Sequence, residues 1–271
     1  MNTRRRALPP GWYPSDERSV GELIEEWNAE PPPLGALAAV APHAGWAFSG
    51  RLAVKAASAL RGAETVVVVG GHLPDGYPVL IAPEKSFETP LGALPADLEL
   101  AEALSAEMGL EEDRAADNTV EVQLPIIKAR FPDAKILWLR APAGLKAIAL
   151  GRALKKAADG LKRRVSCLGS TDLTHYGPDY GFSPAGRGAA AEAWVREKSD
   201  KGFIDALLAM DPEAVLARGE AGAACSSGAA AAALAFALAS GAGRASLLGY
   251  ATSLETRSSE SFVGYCAVAF Y

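Results

Sequence analysis

Histidine and cysteine are both scarce in this chain of 271 residues, which has three of each. The cysteines, Cys167, Cys225 and Cys266, are odd in number and lack CxxC spacing. That pattern argues against a disulfide framework and against a structural zinc finger. Free thiols are typical of a reducing compartment, so we predict a cytoplasmic location.

Excess positive charge and long apolar runs are also lacking. The net charge of −5 gives no indication of a general nucleic-acid surface. The most apolar run, residues 229–239, is about half the ~20 residues that a membrane-spanning helix needs. The N-terminus carries no apolar signal segment. We therefore predict that neither nucleic acid nor a membrane is a partner.

Motifs for nucleotide binding and serine hydrolysis are missing as well. Gly70-Gly71 fits neither the GxGxxG nor the P-loop spacing. No Gly-x-Ser-x-Gly nucleophile elbow occurs in the chain. These two classes of enzyme are therefore not supported.

What the chain does have is an alternation of apolar strands and helical segments. Strands are predicted at residues 37–40, 65–69, 79–82, 135–139, 165–168, 245–250 and 262–270. Helices are predicted at 19–29, 52–60, 96–108, 147–161 and 189–208, with an alanine-rich helix after Cys225, while residues 87–95 are expected to be irregular. This order predicts an α/β fold, a three-layer α/β/α sandwich with a mostly parallel, mixed central sheet. We expect a single domain over residues 1–271, with residues 1–34 as an N-terminal lead-in.

Each histidine follows the end of a predicted strand: His43 after residues 37–40, His72 after 65–69 and His175 after 165–168. In α/β folds, ligands bind at the carboxyl ends of the strands. We therefore expect all three imidazoles at one rim of the sheet. If the first two strands are neighbours, His43 and His72 can face the same metal ion.

The residues leave the third ligand open. Glu121 or Asp172 would complete a triad of two histidines and one carboxylate, which suits non-haem iron(II). Cys225 is the other candidate, because it opens a predicted helix whose N-terminus favours a thiolate. A small buried apolar side chain is the alternative interpretation of this cysteine.

Asp172 and His175 are separated by three positions in one loop. Asp172 can orient the imidazole or join the metal ligands, and His175 can then move a proton near neutral pH. The structural alternative is an aspartate that caps a turn and a histidine that binds a backbone carbonyl.

Several short motifs, in this order, resemble those of the Memo-like family (AmmeMemoRadiSam system protein B). They are Ala41-Pro42-His43-Ala44-Gly45, Gly71-His72, Thr89-Pro90-Leu91-Gly92, Glu121-Val122-Gln123-Leu124-Pro125, Ser170-Thr171-Asp172-Leu173-Thr174-His175-Tyr176, Cys225 and Val263-Gly264-Tyr265. The resemblance runs from about residue 7 to the C-terminus. It implies a fold similar to the class III extradiol dioxygenases, the LigB-like enzymes.

The resemblance implies that His43, His72 and Cys225 are metal ligands, with iron(II) as the first expectation and copper as the second. It also implies that Asp172 and His175 line the same pocket. LigB-like enzymes have a carboxylate where this family has cysteine, so a metal site is implied more securely than ring cleavage. This chain departs from the family's Glu-His-Ser triplet, for which it has Asp117-Asn118-Thr119, and asparagine carries no proton at neutral pH.

Three functions are compatible with these patterns. The first is a mononuclear non-haem metalloenzyme, an oxidoreductase acting on a small aromatic or chelating substrate. Its substrate contacts are predicted at Trp46, Glu121, Tyr176 and Asn118. The second is a non-catalytic module that binds a peptide or protein through aromatic contacts in the same pocket. The third, implied by the resemblance, is a component that works with radical SAM and AMMECR-type proteins.

Overall fold

The computed structural model describes residues 2–271. Its strands are β1 (Thr3–Arg4), β2 (Ala38–Ala41), β3 (Thr65–Leu73), β4 (Val79–Ile81), β5 (Ser86–Thr89), β6 (Gly92–Pro95), β7 (Leu110–Glu112), β8 (Lys135–Pro142), β9 (Val165–Ser170), β10 (His175–Tyr176), β11 (Ala245–Thr252) and β12 (Phe262–Phe270). Its α-helices are α1 (Glu17–Trp27), α2 (Trp46–Ala59), α3 (Leu98–Glu107), α4 (Asn118–Glu121), α5 (Leu124–Arg130), α6 (Leu145–Gly160), α7 (Ala189–Trp194), α8 (Lys201–Leu208), α9 (Pro212–Arg218) and α10 (Ser227–Ala239).

The main sheet runs in the order β10-β12-β2-β9-β3-β8-β4-β7, with β11 also paired to β12. Its centre is parallel, because β2, β9, β3 and β8 pair in the same direction. The strands β12 and β4 pair with this centre in antiparallel fashion. The sheet is therefore mixed, as the sequence predicts.

Both faces of the sheet are covered by helices. Val67 and Val69 of β3 pack in a core that includes residues of α6 and α10. Val66 and Val68 point to the opposite face and pack with residues of α2 and α5. Successive residues of a strand alternate between faces, so continuous apolar runs are typical of strands buried on both sides. The predicted three-layer α/β/α sandwich is confirmed.

The alanine-rich helix α10 approaches the sheet closely. A Cβ atom at Gly169 of β9 would lie only 2.5 Å from the backbone oxygen of Ala229. Glycine on the strand and alanine on the helix therefore permit this contact. The N-terminus of α10, with Cys225 just before it, is brought to the carboxyl end of the central strands.

The structure differs from the sequence predictions in three places. Residues 87–95, expected to be irregular, contain the hairpin β5-β6, which joins β1 in a separate three-stranded sheet. Helix α2 begins at Trp46 rather than near residue 52. The helix predicted over 189–208 changes to a π-helix at Val195–Asp200. Within the part of the chain that is described, no helix combines the length and apolarity needed to cross a membrane.

Candidate metal centre

The candidate site lies where the central strands end. His43 follows β2, Asp172 follows β9, and His72 lies near the end of β3. Strands β2 and β3 are not neighbours, because β9 lies between them. The rings of His43 and His72 nevertheless come within 4.9 Å, centroid to centroid, and are nearly perpendicular. The two imidazoles therefore lie side by side although their strands are not neighbours in the sheet.

Two imidazoles and one thiol converge at this point. One ligating atom from each of His43, His72 and Cys225 lies within 4.8 Å of the others. Cys225 Sγ is 3.2 Å from His43 Nε2. At bond lengths typical of zinc, a sulfur and a nitrogen that bind the same ion are about 3.1 Å apart if the angle at the ion is 90°. They are about 3.6 Å apart if that angle is tetrahedral. These residues therefore fit a single ion, and imidazole and thiolate ligands suit zinc, copper or iron.

His43 is buried and held from both sides. Its backbone N–H donates to Asp172 Oδ1 at 2.6 Å, and its Nδ1 lies 3.3 Å from Ser170 Oγ. Gln123 Nε2 donates to the same hydroxyl oxygen at 3.1 Å. These contacts leave Nε2 directed at Cys225. Burial lowers the pKa of His43 to about 4, so the ring is neutral and able to bind a metal at neutral pH.

His72 adopts a left-handed backbone conformation, with φ of 58°. Such a conformation is uncommon outside glycine and persists only where the surroundings enforce it. Here the backbone N–H of His72 donates to Ser226 Oγ, and that of Gly71 donates to Thr119 Oγ1, both at 3.1 Å. Partial desolvation and the neighbouring His43 lower the pKa of His72 to about 4.

A buried ion pair supports the same turn. Arg140 Nε donates to the carbonyl of Gly71 at 3.0 Å and lies 3.1 Å from Asp117 Oδ2. Thr119 in turn donates its hydroxyl proton to Asp117. Two residues of the triplet in which this chain departs from the family, Asp117 and Thr119, therefore hold the backbone beside His72. The third, Asn118, lines a cavity beside the cluster.

Cys225 lies just before α10, and its backbone N–H donates to the carbonyl of Asp172 at 3.2 Å. The predicted effect of the helix N-terminus, which favours the thiolate, is opposed here by burial. Burial and the nearby Asp172 raise the pKa of the Cys225 thiol to about 12. A metal ion must therefore displace this proton. The other two cysteines, Cys167 and Cys266, are fully buried within strands, as predicted.

Asp172 and His175 lie at one cavity but hold different partners. Asp172 Oδ1 accepts hydrogen bonds from the backbone N–H groups of His43 and Ala44. His175 Nδ1 lies 3.1 Å from the carbonyl oxygen of Leu173. Because a carbonyl oxygen can only accept a hydrogen bond, Nδ1 carries the proton and donates it. Asp172 thus fixes the loop of His43, and the bond of His175 to a backbone carbonyl is the structural alternative named in the sequence analysis. Burial raises the pKa of Asp172 to about 6.

A cavity of 430 Å³ opens in front of the cluster. It is lined by His43, His72, Asp172, His175 and Asn118, all of which the sequence analysis names. Aromatic side chains add to its wall: Trp12, Phe48, Tyr180 and Tyr265. We refer to this space as the front cavity.

Among the described residues, three predicted substrate contacts do not line the front cavity. Trp46 is 3% exposed and donates its indole N–H to the carbonyl of Val122. Tyr176 is 1% exposed, and its hydroxyl donates to the carbonyl of Gly186. Both side chains are therefore engaged in packing and internal hydrogen bonds. The sequence alone does not distinguish an aromatic residue buried in this way from one that contacts a ligand.

The third of these residues is Glu121. Its carboxylate accepts hydrogen bonds from the backbone N–H groups of Ala7 and Leu8 and from the hydroxyl of Tyr13. It is therefore an anchor for the N-terminal segment rather than a group that faces the cavity. That anchored segment carries Trp12 to the cavity wall.

Trp12 and Tyr180 are two of the cavity residues that the sequence analysis missed. The aromatic turn around Trp12 is visible in the sequence but reads only as part of a lead-in. The backbone carbonyl of Trp12 accepts a hydrogen bond from the backbone N–H of Trp46 at 2.8 Å, a contact between residues 34 positions apart in the chain. Tyr180 stands edge-on to His175, with ring centroids 4.9 Å apart.

Comparison with known proteins agrees with this architecture. The family described as "Memo-like protein" matches residues 4–269. A MEMO1 family protein of Thermococcus onnurineus is 33% identical over 98% of this chain and 99% of its own length. A MEMO1 family protein of Archaeoglobus fulgidus is 30% identical over 98% and 99%.

A solved structure shares the fold. The crystal structure of an uncharacterized protein of Escherichia coli K12 matches 86% of this chain and 99% of its own, with a TM-score of 0.57 and 13% identity. That likeness supports the fold alone, whereas the family match and the archaeal relatives span nearly the whole chain. This chain belongs to the Memo-like family.

Proposed function

We propose that this protein binds one redox-active metal ion through His43, His72 and Cys225 and oxidises a small chelating substrate in a dioxygenase-like reaction. Iron(II) is the first choice of metal and copper the second. The observation that carries the proposal is the convergence of three ligating atoms within 4.8 Å at the end of a cavity. A set of two imidazoles and one thiolate matches the preferences of both metals.

When bound, the metal would supply open positions for substrate and oxygen, which is the chemistry of non-haem iron sites. His175 would serve as the acid or base. Because its Nδ1–H is taken by the carbonyl of Leu173, its Nε2 is the atom that takes up a substrate proton. Asp172 fixes the loop of His43. Asn118 can donate or accept a hydrogen bond at the cavity edge, where the family's imidazole would carry a proton.

The wall of the front cavity favours a planar substrate. Trp12, Phe48 and Tyr180 present aromatic surface close to the metal ligands. Cavities of this kind select ligands by apolar contact and orient them with a few polar groups. A small aromatic substrate with adjacent oxygen atoms would contact the aromatic wall and chelate the ion.

The test is metal analysis after anaerobic purification. We expect close to one equivalent of iron or copper in the wild type and a loss of most of it in His43→Ala, His72→Ala and Cys225→Ala. Cys167→Ala is the matched control, since Cys167 is a buried thiol outside the cluster. Metal content that stays at the wild-type level in both histidine variants would contradict the proposal.

A second candidate function is binding of a peptide without catalysis. The observation that favours it is the exposure of Phe48 and Tyr180 at the mouth of the front cavity, 38% and 46% respectively. Peptide capture that survives metal removal and His72→Ala, but is lost in Tyr180→Ala, would favour this function over the first. The association with radical SAM and AMMECR-type proteins and the cytoplasmic location stay predictions.

A further inference from the structure

A second cavity reaches the same cluster from another side. It also measures 430 Å³, and His72 and Cys225 are both among its lining residues. His72 lines both cavities, whereas His43 lines the front cavity and Cys225 lines the second one. We refer to this second space as the rear cavity. The candidate metal centre therefore lies between two openings.

The rear cavity is built by two irregular segments. One is the chain after His72, which includes Asp75. The other is the kinked segment Gly219–Ala223, which carries Glu220 and contains Gly222 at a non-helical φ of 91°. This segment leads directly into Cys225 and brings Glu220 to the cavity that the cysteine lines.

Negative charge marks the opening of the rear cavity. Asp75 and Glu220 both line it and are exposed to solvent. Within residues 2–271, neither carboxylate forms a salt bridge. The nearby Lys146 directs its Nζ to the carbonyls of Gly76 and Tyr77. Clefts lined by one sign of charge concentrate ions of opposite sign and speed their association.

We propose that the rear cavity is the route by which a hydrated divalent cation reaches the candidate metal centre. A cation on this route meets Asp75 and Glu220 first, then His72 and Cys225, and His43 last. Binding to Cys225 as a thiolate releases one proton, which balances the charge of the step. The front cavity stays free for the substrate. This inference rests on the metal site proposed above.

The first experiment measures how fast Co²⁺ enters the metal-free protein, by stopped-flow absorption of the thiolate-to-cobalt band. The double variant Asp75→Asn, Glu220→Gln should take up Co²⁺ about tenfold more slowly at low ionic strength, because electrostatic steering contributes about 10- to 1000-fold to such rates. The final spectrum should be unchanged. At about 1 M salt, where the Debye length is about 3 Å, the difference should shrink.

The matched control is Asp179→Asn, which removes one carboxylate from the front cavity. We expect this variant to take up Co²⁺ at the wild-type rate. Slower uptake in Asp179→Asn, together with wild-type kinetics in the double variant, would overturn the proposal. A wild-type protein that gives no cobalt spectrum would instead refute the metal site itself, so the two failures are distinguishable.

A steric variant tests the route without reference to charge. Ala143 lines the rear cavity, so Ala143→Phe should narrow it. Labelling of the metal-free protein by a positively charged methanethiosulfonate reports on Cys225, because Cys167 and Cys266 are fully buried. We expect Ala143→Phe to slow both labelling and Co²⁺ uptake several-fold. Labelling at the wild-type rate in a folded Ala143→Phe protein would contradict the proposed route.

Discussion

Replacing Thr119 with valine removes one hydroxyl beside His72 while keeping the size of the side chain. That hydroxyl accepts the backbone N–H of Gly71 at 3.1 Å and donates to the carboxylate of Asp117. Gly71 is buried and immediately precedes His72. The substitution therefore leaves a buried donor without a partner next to the left-handed turn at His72.

The size of the effect follows from these two hydrogen bonds. A buried polar group left without a partner costs about 1–3 kcal/mol. At roughly 2–4 °C per kcal/mol for a chain of this size class, a cost of about 2 kcal/mol lowers Tm by about 4–8 °C. Loss of a group that orients a metal ligand weakens metal binding by about 10- to 100-fold. We expect both effects in Thr119→Val.

The assay pairs thermal unfolding of the metal-free protein with titration by Co²⁺. Thr119→Ser is the matched control, since it keeps the hydroxyl and loses a methyl group worth about 1 kcal/mol. The serine variant should bind Co²⁺ as tightly as the wild type. If Thr119→Val binds Co²⁺ like the wild type while Thr119→Ser binds it weakly, the hydroxyl does not position His72.

Three further predictions concern other parts of the site. Lowering the pH from 6.5 towards 4 should destabilise the metal-free protein, because the unfolded chain protonates His43 and His72 near their ordinary pKa of 6.5 and the folded protein only at about 4; the share of His43 is at most about 3 kcal/mol, is measured by urea unfolding, and should be missing in His43→Gln, which keeps the share of His72. Asn118→His should place a fourth imidazole at the front cavity, visible as one additional titrating histidine by NMR; a folded variant whose new imidazole does not titrate would refute this. Glu121→Gln should speed proteolysis before residue 16, since the carboxylate anchors that segment, whereas the exposed Glu25→Gln should leave the rate unchanged.

The elements that the sequence predicts well are those with a strong local pattern. The β-branched run of β3 and the alanine run of α10 fit the buried interior of a sheet and a closely packed helix. The hairpin β5-β6 was missed because its buried side chains, Phe87 and Leu94, stand apart in a segment rich in proline and glycine. Local patterns do not report such pairing between segments.

The candidate site also has features that the sequence predicts and features that it does not. The placement of His43, His72 and His175 after apolar strands is readable, because the carboxyl ends of parallel strands meet at one edge. Residue type alone does not show which of Glu121, Asp172 and Cys225 lies beside His43 and His72 as the third candidate ligand. In the structure Glu121 holds the N-terminal segment, Asp172 holds the loop of His43, and the Cys225 sulfur lies beside His43.

By itself, the sequence determined the layered fold, the family and the rim where three histidines lie, because apolar periodicity and short ordered motifs are local properties. Tertiary structure alone decided that β9 separates the strands of His43 and His72, that Glu121 is an anchor, and that Trp12 joins the cavity. These facts depend on contacts between segments more than 30 positions apart. Side-chain chemistry sets what each residue can do, and only the packing of distant segments sets which partner it meets.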